Sequence, residues 1–101
     1  MNSNKIKKII YSMLKEILED DSIPTEKDYD ITQQQYFEII ELMKNEELIN
    51  PKNVSFFING DLHITKSLST VTMKGINFLE ENNKWNKIYK GIKEFRSFLQ
   101  M

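Results

Sequence analysis

Cysteine is absent from this sequence, which removes disulfide staples, thiolate metal ligands and cysteine nucleophiles together. Histidine occurs once, at His63, so the imidazole sets that hold zinc or shuttle protons are missing. A lone histidine on a strand reads as a surface residue. The three glycines, Gly60, Gly75 and Gly91, lie too far apart to build a phosphate-cradling loop. No run approaches the roughly 18 consecutive apolar residues that a membrane span needs. The first segment, Met1 to Asp21, has a basic front, but Lys15 and Glu16 break its apolar stretch. It lacks the uninterrupted apolar core and small-residue cleavage site of a signal peptide. The expectation is a cytoplasmic, non-enzymatic chain with no cofactor, no metal and no membrane attachment.

What is present suffices for a folded domain. The 101 residues are 40% hydrophobic and 11% aromatic, enough to bury a modest core within one domain spanning 1–101. Charged residues make up 29% and the net charge is −1, but that near-neutrality conceals a partition. Residues 1–15 carry four lysines and no acid, residues 16–65 carry twelve acids against three lysines, and residues 66–101 carry seven bases against three acids.

Apolar periodicity predicts a helix over 5–20, with Ile6, Ile9, Ile10, Met13, Leu14, Ile17 and Leu18 on one face. Ser3 or Asn4 is the expected cap, and Asp20-Asp21-Ser22 before Ile23-Pro24 is the stop. An acidic, irregular connection over 21–31, with room for one helical turn from Pro24 or Thr25, leads to Thr32. Thr32 with Gln35 forms a capping box. A second helix follows over 33–46, with Tyr36, Phe37, Ile39, Ile40 and Met43 inward. Gln34, Gln35, Glu38, Glu41 and Asn45 face outward.

Residues 54–65, VSFFINGDLHIT, read as a β-hairpin turning at Asn59-Gly60. A two-residue loop would mix polar and apolar residues on each face. A three-residue loop, Ile58-Asn59-Gly60, pairs Val54 with Ile64 and Phe56 with Leu62 and gathers the apolar residues on one side. It is the preferred register. A third helix over 72–82 is capped by Thr72 and stapled by Val71 and Ile76. A fourth, over 84–99, would bury Trp85, Ile88, Tyr89, Ile92, Phe95 and Leu99. A helix pair followed by a two-stranded wing gives the expected class: α+β, mainly helical, winged-helix-like, with added C-terminal helices.

The stretch Thr72-Met73-Lys74-Gly75-Ile76-Asn77-Phe78-Leu79, then Glu81-Asn82-Asn83-Lys84-Trp85 and Tyr89-Lys90-Gly91-Ile92-Lys93-Glu94, resembles the YjcQ-like family. Leu14-Lys15-Glu16-Ile17 and the Thr32 helix start are similar too. The resemblance implies a small winged-helix-like domain of Gram-positive bacteria, their phages and related mobile elements. It implies no catalytic or ligand residues.

Candidate surfaces remain. Asp20, Asp21, Asp28 and Asp30 read as a solvated acidic loop, because no glycine follows where a calcium loop turns. Glu38 and Glu41 on the would-be recognition helix oppose duplex DNA, since carboxylates facing phosphates counter the counterion release that drives such binding. Lys84, Lys87, Lys90, Lys93 and Arg96 recur every third residue and could dock an acidic partner. Phe57 and Ile58 at the wing tip, with Phe98, form a candidate apolar patch. The leading expectation is therefore a protein-interaction module modulating a host or phage protein through Phe57, Ile58, Lys87, Lys90, Lys93, Glu38 and Glu41. The alternative is a nucleic-acid-binding regulator gripping phosphates with Lys5, Lys7, Lys8 and the C-terminal lysines. A homodimer pairing acidic and basic helices is also compatible with the charge partition.

Overall fold

A computed structural model describes residues 1–19, 24–56, 62–65, 67 and 69–86. These residues form a mainly helical α+β arrangement: α1 (Ser3–Leu18), α2 (Gln33–Asn45), an antiparallel pair β1 (Val54–Phe56) and β2 (Leu62–Ile64), and α3 (Met73–Glu81). Short 3-10 turns occupy Pro51–Asn53 and Asn83–Trp85.

The helix starts follow local hydrogen-bonding chemistry. Thr32 accepts from the Gln35 amide at 3.0 Å while the Gln35 side chain accepts from the Thr32 amide at 3.0 Å. Two of the orphan amides at the start of α2 are thereby satisfied, as expected. Thr72 likewise accepts from the Gly75 amide at 3.1 Å. At α1 the cap is Asn2, whose side chain accepts from the Lys5 amide at 2.8 Å, rather than Ser3 or Asn4. Asn2, Ser3 and Asn4 are all competent cap types, so local sequence alone leaves the choice open.

The expected inner faces are largely confirmed on α2, where Tyr36, Ile39, Ile40 and Met43 are buried and Phe37 is half-buried. On α1 the one-face reading needs correcting. Leu18 is exposed, while Tyr11, Ser12 and Glu16 are buried alongside Ile9, Ile10, Met13, Leu14 and Ile17. Part of the extra covering, over Tyr11 and Ser12, comes from flanking segments. Tyr29 in the 24–31 connection donates to the Ser12 hydroxyl at 3.0 Å. Trp85 meets Tyr11 edge-on at 5.9 Å, and the Tyr11 hydroxyl donates to Asn86 at 3.3 Å. Each aliphatic side chain fully withdrawn from water along α1 contributes about 1.5–3 kcal/mol.

The irregular connection is held by its own polar groups and by one hydroxyl of α2. Asp28 accepts from the Thr25 amide at 2.8 Å, and the Tyr36 hydroxyl donates to the Pro24 carbonyl at 2.7 Å. Burial raises the phenols of Tyr29 and Tyr36 well above their ordinary range. For Tyr36 the nearby carboxylates of Glu26 and Asp28 add to the effect.

The hairpin register is Val54 with Ile64, Ser55 with His63 and Phe56 with Leu62, as preferred from the sequence. Val54 and Ile64 are buried, whereas Ser55 and His63 face out. Below it, Ile49 and Val71 form an antiparallel bridge, fastened by Asn50 N–H to the Thr70 carbonyl at 2.8 Å and Thr72 N–H to the Leu48 carbonyl at 3.1 Å. This bridge brings the end of α2 against the start of α3. Gly75 makes the approach feasible: a Cβ there would collide with the Leu48 carbonyl oxygen and lie 2.7 Å from Val71 Cγ1. The loop Ile58-Asn59-Gly60 lies outside the described residues. The expected helix over 84–99 meets them only at its start, the Asn83–Trp85 turn.

Candidate interaction groove

Among the expected site residues, Glu38 and Glu41 are both exposed on α2. Glu38 accepts from Gln34 at 3.1 Å, and Glu41 pairs with Lys44 at 3.2 Å, one helical turn away. An exposed pair of this kind is worth little in stability, so the outer face of α2 stays rich in carboxylate. Phe57, Ile58, Lys87, Lys90 and Lys93 lie outside the described residues, as do Phe98, Asp20 and Asp21. Among the described residues no cluster of three or more His, Asp or Glu could hold a metal ion, and no helix is long and apolar enough to cross a membrane.

The concave feature that sequence reasoning missed lies where α1, α2 and α3 converge. A groove of about 560 Å³ has Ile6, Ile10, Leu42, Leu48 and Phe78 as its apolar floor. A second depression of about 220 Å³ adjoins it, sharing Ile6 and Leu42 and adding Ile39. Ile10 and Leu48 are core residues whose outer edges reach the groove, whereas Leu42 retains 37% of its surface. Leu42 was the available signal. It is an apolar residue lying off the inward stripe of α2, among the outward-facing polar residues.

Charge on the groove is unevenly distributed. α1 contributes Lys7 and no acid, whereas Glu46 at the end of α2 and Glu81 of α3 line the opposite side. Lys74 on α3 also lines the groove, but Glu47 binds it at 2.6 Å. Their hydrogen bond and mutual charge hold the Glu47 carboxyl below, and the Lys74 ammonium above, their ordinary ranges. Glu46 adds a further attraction for Lys74. The adjoining depression has Glu38 on its α2 side. A floor of aliphatic and aromatic carbon with a few charged groups at the rim suits a site that takes up apolar side chains and orients them by charge.

The fold and this groove together define a small helical α+β domain with an open apolar cleft. The chain belongs to the family described as YjcQ protein, which matches residues 4–98. Uncharacterized protein YjcQ of Bacillus subtilis (strain 168) is 33% identical over 100 residues, covering 99% of this chain and 100% of that protein. No solved structure gives a significant match.

Proposed function

We propose that this chain is a non-enzymatic protein-interaction module of winged-helix-like design. It would act in the cytoplasm of a bacterial or phage-infected cell by modulating a protein partner. One observation carries the reading: the apolar groove between the three helices is open, and Leu42, which lines it, is exposed. Keeping an aliphatic side chain in water forfeits burial energy, and a partner that covers it recovers that energy. The exposed carboxylates of α2 beside the groove disfavour the alternative of duplex recognition through this helix.

The test is affinity capture with the full-length protein at low salt, comparing the wild type with Leu42→Arg. A specific partner recovered by the wild type and lost with the variant supports the module. An identical set of proteins with both, or none with either, overturns it. Tight duplex binding in a gel shift, weakened by Lys7→Glu, would transfer the function to nucleic acid.

A further inference from the structure

Resting on the groove as an interaction site, we infer that its occupant is an amphipathic helix of a partner protein with flanks of opposite charge. The acidic flank would face α1 and the basic flank would face α2 and α3. Shape favours a convex ridge. Two copies of this groove face to face would present two hollows to one another and leave the floor unfilled. A helix places side chains at i, i+3, i+4 and i+7 along one line, an apolar ridge that can fill a hollow lined by Ile6, Ile10, Leu42 and Phe78.

The charge of the flanks follows from the sorting of the rim. Lys7 is the groove's cation from α1, and no acid lies within residues 1–15 to neutralise it locally. Glu81 has no cationic partner among the described residues, and Lys74 is already bound by Glu47 while Glu46 stands in surplus. A helix bearing one sign of charge on both flanks would meet repulsion from one side of the rim. A helix with two signs would meet attraction from both. The order of these preferences does not depend on total hydrophobicity, so it can be separated from mere stickiness.

The probes are three synthetic peptides of about 14 residues, roughly 21 Å when helical, sharing one leucine ridge. One carries glutamate on one flank and lysine on the other, one lysine on both, and one glutamate on both. Binding to the full-length protein is measured by calorimetry, and the site is mapped by amide chemical shifts. The two-signed peptide should bind about tenfold more tightly than either one-signed peptide at about 50 mM salt. Its advantage should shrink at about 500 mM salt. Shifts should centre on Ile6, Leu42 and Phe78. Lys7→Glu should reorder the series in favour of the all-lysine peptide, and Glu46→Lys with Glu81→Lys should favour the all-glutamate one. All of these positions are at the surface or rim, so the variants should fold, and circular dichroism checks that they do.

Equal binding of the three peptides, or a series that Lys7→Glu leaves unchanged, overturns the charge assignment. If a captured partner still depends on Leu42, the module itself survives that outcome. Concentration-dependent dimerisation abolished by Leu42→Arg, with no peptide competing, would name a second copy as the occupant and overturn the inference.

Discussion

The two halves of α1 differ in what covers them. In the C-terminal half, Met13 and Leu14 are fully enclosed, and Tyr29 and Trp85 close over the helix from connecting segments. The N-terminal half carries Ile6 and Ile10 at the same helical spacing, yet with Ser3 and Lys7 it lines an open groove. Ile10 is itself a core residue whose edge reaches the groove, so of the two it is the half-buried Ile6 that the helix leaves as available surface. The difference lies in which segments return to them.

The largest effect should come from truncating the enclosed half. Leu14→Ala is expected to cost about 3 kcal/mol, because the cavity it leaves cannot collapse, while Ile6→Ala should cost less than about 1 kcal/mol. Urea unfolding of the two variants measures this, and equal losses would mean that the groove is filled in the free protein.

Gly75→Ala should follow at about 2 kcal/mol, measured the same way, despite alanine's better helix propensity. A methyl there pushes α3 away from Leu48, whose side chain forms part of the groove floor. The variant should therefore also perturb the amide shifts of Leu42 and Phe78.

Alkali should loosen the closed half before the open one. Tyr29 and Tyr36 have phenols raised above the unfolded value of 10.0. The stability they confer is fully present below pH 10.0 and is lost as pH climbs from there toward the folded-state values. Denaturant midpoints measured across that range should fall, and Tyr29→Phe should flatten the fall. At neutral pH the same substitution should cost about 1 kcal/mol through the lost hydrogen bond to Ser12.

The smallest effect belongs to the groove rim. Lys74→Met should leave stability nearly unchanged, because solvent screens this exposed pair. Glu47 is held below its ordinary range by Lys74, so the contribution of this pair is present above the unfolded carboxylate value. It disappears as pH falls through the lowered folded value. In Lys74→Met that acid-side component should vanish from the pH profile.

Much of the architecture was readable from local signals. The capping box at Thr32, the cap at Thr72, the inward stripe of α2 and the Val54–Ile64 register each depend on residues close in sequence or on the period of a strand or helix. The cap at Asn2 and the exposure of Leu18 were not readable, since several candidates satisfied the same local rule. The groove was invisible for a different reason. It comprises Ile6, Leu42 and Phe78, residues far apart in the chain, and periodicity assigns such residues to a face without stating what lies across from it.

By itself the sequence determined the helix starts, the strand pairing, the acidic outer face of α2 and the family to which the chain belongs. Only the tertiary structure decided that α1 is enclosed on several sides by Tyr29, Trp85 and its neighbours while its first turns stay open, and that Lys7 of α1 and Glu81 of α3 line one groove. The physical reason is range. Capping and pleating act over a few residues, whereas enclosure depends on which distant segments the chain brings back across a face.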